Sequence, residues 1–123
     1  MNSNQLTELA TSALEDLKGI DIQVLDIRDK TSIADVMLIA TGTSMRHVRS
    51  LANEVKMQVK AKQNIPLSVE GDDRSDWVLI DLGDVIVHVM TQEKRDFYAL
   101  EKLWSVAPGK ASEEPADTLI ATS

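Results

Sequence analysis

The N-terminal part of the chain shows the spacing of an amphipathic helix. Apolar side chains recur every three or four residues, at Leu6, Leu9, Ala10, Ala13, Leu14 and Leu17. They fall on one stripe of a helix, and Gly19 follows as a residue that commonly ends helices. Residues 20–27 alternate between apolar and polar side chains, which predicts a strand with one solvated face or a strand at the edge of a sheet.

The next segments predict a buried strand followed by a long helix. Residues 36–40 are a continuous apolar run, typical of a central strand that is buried on both faces. The turn at residues 41–44 offers Thr43 or Ser44 as the N-cap of a helix over residues 44–63. The residues that this helix is predicted to bury are Val48, Leu51, Ala52, Val55 and Val59, and those of its basic outer side are Arg46, Arg49, Lys56, Lys60 and Lys62. A short strand is predicted at residues 67–70.

Residues 77–90 predict a β-hairpin, because Gly83 and Asp84 separate two runs of aliphatic and β-branched residues. With these two residues in the loop, the aliphatic cross-strand pairs are Leu82 with Val85, Ile80 with Val87, and Val78 with Val89. That face is predicted to be core. The opposite face, which we call the mixed face, holds Trp77, Leu79, Asp81, Ile86, His88 and Met90. Its combination of large apolar, acidic and imidazole groups indicates a contact surface rather than ordinary core.

A last helix completes the predicted domain. Its spacing places Phe97, Leu100 and Trp104 on the buried side and leaves Arg95, Tyr98 and Glu101 exposed. The order α-β-β-α-β-β-β-α predicts one α/β (α+β) domain over residues 1–107, with a mixed sheet of about five strands and flanking helices. Residues 108–123 are small, polar and acidic without a period, which predicts a disordered tail.

Charge and composition limit the partners. The formal net charge of -7 opposes binding to a bare phosphate backbone, so free nucleic acid is a poor partner and a basic protein surface is a better one. The chain has no cysteine, which excludes disulfides and fits a reducing cytoplasm, and no apolar run approaches the roughly 20 residues that span a bilayer. Acids are concentrated between residues 70 and 84: Glu70, Asp72, Asp73, Asp76, Asp81 and Asp84. They form either an acidic contact patch or simply soluble turns.

Two constellations were weighed for catalysis. The turn at residues 39–44 resembles the phosphate-binding turn of nucleotidyltransferases, but no strand carries the paired carboxylates that hold magnesium in such enzymes. His88 lies diagonal to Asp81 in the predicted pairing, yet no nucleophile completes a catalytic set, and His47 is predicted to be solvated. Two distant histidines and loop acids are also a poor metal site. We therefore predict no catalytic residue, no metal and no cofactor.

Five blocks of sequence resemble one protein family. They are D-I-R-D-K-T-S-I-A-D (residues 26–35), A-T-G-T-S-x-R-H-V (40–48), V-E-G (69–71), D-W-V-L-I-D-L-G-D-V-I-V-H-V (76–89) and R-x-F-Y-x-L-E-x-L-W (95–104). In this order and spacing they resemble the ribosomal silencing factor family, also called Iojap-like, over residues 6–104. The resemblance implies a nucleotidyltransferase-like fold that has lost catalysis.

The resemblance also implies a function. Members of this family bind the large ribosomal subunit through its fourteenth ribosomal protein, a basic protein, and block association with the small subunit, which represses translation when nutrients are short. Organellar relatives act in large-subunit assembly, and the family can form homodimers. The predicted partner-binding residues are Trp77, Leu79, Asp81, His88 and Tyr98, bordered by Asp72, Asp73 and Asp76. Two alternatives stay open: a large-subunit assembly or placeholder factor, and a nucleotide-binding enzyme.

Overall fold

A computed structural model describes residues 2–62, 66–71 and 76–98, with the backbone alone described at Tyr98. The elements are α1 (Ser3–Asp16), β1 (Ile20–Asp26), β2 (Val36–Gly42), α2 (Met45–Lys62), β3 (Ser68–Glu70), β4 (Trp77–Asp81), β5 (Val85–Thr91) and α3 (Gln92–Tyr98). This is the order of helices and strands predicted from the sequence. The predicted tail, together with Leu100, Glu101 and Trp104, lies outside the described residues.

The five strands form one mixed sheet in the order β1-β2-β5-β4-β3. Of the neighbouring pairs, only β2 and β5 are parallel, and the others are antiparallel. The helix α2 carries the chain from β2 to the edge strand β3, and the antiparallel strands β3, β4 and β5 then bring β5 beside β2. The predicted α+β class with a five-stranded mixed sheet is therefore confirmed. The hairpin register is confirmed as well, since Val78 pairs with Val89 and Ile80 with Val87.

The main core lies between the sheet and the two long helices. Every residue of β2 is buried, as the continuous apolar run predicts, because this strand has a neighbour on each side. The buried residues of α1 and α2 are Leu6, Ala10, Ala13, Leu14, Val48, Leu51, Ala52, Val55 and Val59, and they pack on the aliphatic face of the sheet. Burial of this apolar surface is the main force that holds the layers together. No described helix is long and apolar enough to cross a membrane.

The mixed face contains a second, smaller core, which the sequence did not reveal. Met37, Ile39 and Met90 are buried there against Ile27 and Ala34, which flank the connector between β1 and β2. Trp77 and Ile86 pack on this cluster and stay half-buried. The interpretation of the whole mixed face as an exposed surface was therefore wrong at Met90, and only part of the face remains open to a partner.

The last helix faces the sheet with a different side from the one predicted. Arg95 was predicted to be exposed, but only 3% of its surface is accessible, whereas Phe97, predicted to be buried, is 50% exposed. The guanidinium donates hydrogen bonds from Nη1 to the Asp21 carbonyl at 2.6 Å and to Thr41 Oγ1 at 2.8 Å. The helix contacts β2 and β5, and within its described residues the side chain that is buried against them is Arg95.

Candidate functional site

The open part of the mixed face is centred on β4. Trp77, Leu79 and Asp81, which we call the β4 strip, project to the same side of the sheet, and each is half-buried. The neighbouring strand β3 places Glu70 opposite Leu79 and Ser68 opposite Asp81, both exposed. The strip is thus an apolar and acidic surface, and its first residue, Trp77, packs on the edge of the second core.

The strip is joined to β5 by a bond between two of the predicted site residues. Trp77 Nε1 donates a hydrogen bond to His88 Nδ1 at 2.9 Å, and the two ring centroids lie 5.7 Å apart at an interplanar angle of 45°. The acceptor role of Nδ1 requires the neutral imidazole with its proton on Nε2. This bond fixes the indole against the sheet and determines which edge of Trp77 a partner would meet.

His88 is nearly inaccessible, with 6% of its surface exposed. Burial disfavours the charged imidazolium and lowers the pKa of His88 from 6.5 to about 4. The side chain is therefore neutral near pH 7, in agreement with its role as acceptor for Trp77. Its contribution to partner binding stays a prediction, and the buried position indicates that it supports the β4 strip from below.

Asp81 does not orient His88, as the catalytic alternative required. Its Oδ1 accepts a hydrogen bond from the Gly83 N–H at 2.8 Å and so stabilises the hairpin turn. Gly83 has φ 92°, a conformation that glycine adopts without steric cost. Leu79, not Asp81, lies directly opposite His88. The acid–histidine arrangement considered for catalysis is therefore not formed.

Of the remaining predicted site residues, Asp76 is the one whose side chain the structure describes. Asp76 and Asp84 lie at opposite ends of β4, so these two acids do not share one patch. Asp72, Asp73 and the side chain of Tyr98 lie outside the described residues, and their role in partner binding stays a prediction. Glu70, which was counted among the acids but not among the site residues, is the acid that β3 places beside Leu79.

The glycine turn before α2 has a structural explanation. A Cβ on Gly42 would lie 2.8 Å from both the backbone nitrogen and Cγ2 of Val48, so the turn needs glycine to approach the helix. Ser44 Oγ caps the helix by accepting from the His47 N–H at 3.1 Å. Among the described residues no group of three or more histidine or acidic side chains is arranged to hold a metal ion.

His47, predicted to be solvated, is half-buried and also links two elements. Its Nδ1 accepts from the Thr43 N–H at 2.9 Å, and its Nε2 lies 2.8 Å from the carbonyl oxygen of Leu17 at the end of α1. Both ring nitrogens are thus used to hold α1 against the turn. Spacing alone gave no signal of this contact, because Leu17 and His47 are distant in the sequence.

Comparison with known proteins decides the family. The family model described as "Ribosomal silencing factor during starvation" matches residues 1–122. The chain belongs to the ribosomal silencing factor family. A ribosomal silencing factor of Chromobacterium violaceum is 44% identical over 104 residues, which cover 85% of each chain. The resemblance stated from five sequence blocks is therefore confirmed.

A solved structure and a mouse mitochondrial protein are also similar to this chain. A crystal structure of a Chromobacterium violaceum protein superimposes with a TM-score of 0.81 at 40% identity, covering 92% of this chain and all of that one. A mouse protein named "Mitochondrial assembly of ribosomal large subunit protein 1" is 32% identical over 102 residues, which are 80% of this chain and 45% of that protein. The α+β sheet architecture is therefore that of the silencing factor family.

Proposed function

We propose that this protein binds the large ribosomal subunit through its fourteenth ribosomal protein and prevents the small subunit from joining. Translation would then be repressed when nutrients are short, and the site of action would be the cytoplasm. The observation that carries the proposal is the β4 strip, a half-buried apolar and acidic surface on a domain of the silencing factor family. No covalent chemistry is involved, because occupation of the docking site is enough to exclude the small subunit.

The chemistry of the strip suits a basic protein partner. Leu79 and the indole of Trp77 supply apolar area that is already partly desolvated, and tryptophan is among the residues that most often anchor interfaces. Glu70 and Asp81 border this area with negative charge. The net charge of -7 would also favour encounter with a basic surface over exposed ribosomal RNA.

The proposal is tested by cosedimentation with isolated large subunits, small subunits and joined ribosomes. We expect the protein to sediment with the large subunit and to prevent subsequent joining. Leu79→Arg places a positive charge in the strip and should abolish cosedimentation, because it opposes a basic partner. Met57→Arg is the matched control, since Met57 is 55% exposed on α2, on the other side of the sheet.

The two variants must melt at similar temperatures, because both positions reach solvent. Equal loss of cosedimentation in both would remove the β4 strip from the proposal. Binding of the wild-type protein to small subunits, or to no particle, would contradict the proposed function itself.

A role in assembly of the large subunit is the second candidate. The printed name of the mouse relative assigns that protein to assembly of the mitochondrial ribosomal large subunit. The same β4 strip would serve either role, so the distinction lies in the particle that is bound. Preferential cosedimentation with immature large subunits, and their accumulation when the protein is absent, would favour assembly over silencing.

Self-association is a further expectation for this chain. The edge strand β1 exposes Ile20 and Val24, at 43% and 52%, and could pair with a second copy. The irregular pairing between Ile20 and Gln23 and the positive φ of Asp21 leave only the later part of the strand regular. Light scattering of the wild-type protein and of Val24→Lys would detect a dimer and assign it to this edge; a mass unchanged by the substitution would place the contact elsewhere.

A further inference from the structure

A groove lies on the helix side of the sheet, on the opposite face from the β4 strip. It separates α2 from the edge strand β3 and has a volume of about 400 Å³. Its helix wall includes Arg49, Asn53 and Lys56, and its other wall is formed by Val69, Gly71 and Val78. Volumes of this order are typical of pockets that bind a ligand or a peptide.

The floor of the groove carries an apolar side chain that neither α1 nor α2 covers. Val69 pairs with Ile80, whose side chain is fully buried beneath the helices, so Val69 projects to the same side of the sheet. Unlike Ile80, it is 40% exposed, because α2 passes over β4 and β5 without extending over β3. The groove therefore offers apolar surface that an additional segment would bury.

The helix wall is cationic in a protein that is acidic as a whole. Arg49 and Lys56 lie two turns of α2 apart, and both line the groove on either side of the amide of Asn53. Lys56 forms no ion pair within the described residues. Glu70 does not oppose these cations, since it pairs with Leu79 and projects to the mixed face. The groove thus suits an occupant that carries both carboxylates and aliphatic side chains.

We propose that the acidic C-terminal segment of the chain, residues 113–120, occupies this groove. Its sequence, E-E-P-A-D-T-L-I, supplies three carboxylates followed by two aliphatic side chains. The carboxylates of Glu113, Glu114 and Asp117 pair with the cationic wall, and Leu119 and Ile120 cover Val69. This composition matches the groove in both charge and apolar character, and the inference does not depend on ribosome binding.

The segment is long enough to reach the groove. With the predicted helix continuing to Trp104, nine positions of extended chain lead to Glu113 (113 − 104 = 9), and a connection of that length spans roughly 30 Å. A domain of about 100 residues has a radius of gyration of about 13 Å, so this connection can cross it. Attachment to the same chain also raises the effective concentration of the segment to the millimolar range, roughly, where weak contacts are populated.

The test uses paramagnetic broadening in the full-length protein. The chain has no cysteine, so Ala121→Cys provides a single attachment site for a nitroxide. We expect the amide signals of Asn53, Val69 and Gly71 to broaden, and those of Val24 at the opposite edge of the sheet to stay sharp. Signal intensities are compared with those of the same sample after the nitroxide has been reduced. Broadening confined to another surface, or no broadening at all, would overturn the proposal.

Charge variants show whether the contact is electrostatic. Lys56→Glu should restore the broadened signals, whereas Lys30→Glu, the same change in the exposed connector between β1 and β2, should leave them broadened. Reversal of the three acids (Glu113→Lys, Glu114→Lys and Asp117→Lys) should have the same effect as Lys56→Glu and leaves the described domain unaltered. Persistent broadening in this triple variant would contradict the proposed pairing.

A second copy of the chain is the competing occupant. Spin-labelled protein without isotope enrichment is mixed with isotope-enriched protein that carries no nitroxide. Any broadening of the observed signals is then intermolecular. Broadening at Val69 in this mixture would show that the segment enters the groove of another molecule and would overturn the intramolecular contact. Its absence, together with broadening in the single-chain sample, supports the proposal.

Discussion

Acidification from pH 7.5 to pH 5 should destabilise this protein through His88. The folded state holds the pKa of His88 at about 4 because the imidazole is desolvated, compared with 6.5 for an accessible histidine. Protonation of Nδ1 would also abolish the hydrogen bond accepted from Trp77. Between these two pKa values the unfolded chain binds a proton that the folded chain does not, so stability falls as the pH falls.

The size of the effect follows from this pKa difference. Each pH unit within the window changes the free energy of unfolding by about 1.4 kcal/mol for one proton. From pH 6.5 to pH 5 the loss is therefore about 2 kcal/mol, and it approaches about 3 kcal/mol at pH 4. The stabilising contribution is fully present above pH 6.5. Such a loss is a large fraction of the roughly 5–15 kcal/mol that stabilises an ordinary domain.

The assay is urea unfolding between pH 7.5 and pH 5 at constant ionic strength, with His88→Asn as the matched control. Asparagine Oδ1 can accept the Trp77 hydrogen bond from the position of Nδ1 but does not titrate. His47 is present in both proteins, so its contribution cancels in the difference. The wild-type protein should lose about 2 kcal/mol more than the variant over this range. Parallel stability curves would refute the reasoning that burial keeps His88 neutral.

Three other measurements address different contacts. Arg95→Met should lower the free energy of unfolding by about 3 kcal/mol, because it leaves the Thr41 hydroxyl and the Asp21 carbonyl without their donor. A change below about 0.5 kcal/mol in chemical unfolding would contradict this role. Gly42→Ala should cost about 1–3 kcal/mol by forcing the turn away from Val48, and an unchanged thermal melt would show that the turn can adjust. Cosedimentation with the large subunit should weaken as salt rises, since exposed opposite charges are screened over about 8–10 Å at physiological ionic strength; insensitivity to salt would remove the acids from the proposed interface.

Local periodicity was a reliable guide wherever burial depended on one continuous apolar pattern. The stripe of α2 was predicted residue by residue because a helix of this length must bury its apolar side against the sheet. The hairpin register followed from Gly83 and Asp84, because a two-residue loop fixes which residues face each other. The β4 strip was correctly assigned to one side of the sheet for the same reason, since side chains alternate along a strand.

Contacts between distant segments could not be obtained in this way. Arg95 forms its hydrogen bonds with residues 54 and 74 positions away, so a helical wheel drawn for α3 alone placed it on the wrong side. The acceptor of the Trp77 indole could not be predicted either. The hairpin register pairs His88 with Leu79, and it does not specify which diagonal neighbour the indole N–H reaches.

The sequence by itself determined the family, the order of elements, the main core and the absence of paired strand carboxylates at the glycine turn. Each of these is encoded in neighbouring residues or in motifs of fixed spacing. The tertiary structure alone decided that Ile27 and Ala34 cover part of the mixed face, that His88 is buried and neutral, and that Val69 is left uncovered beside α2. These properties depend on which distant segment lies over a given side chain, and desolvation follows from that coverage rather than from the residue's own position in the sequence.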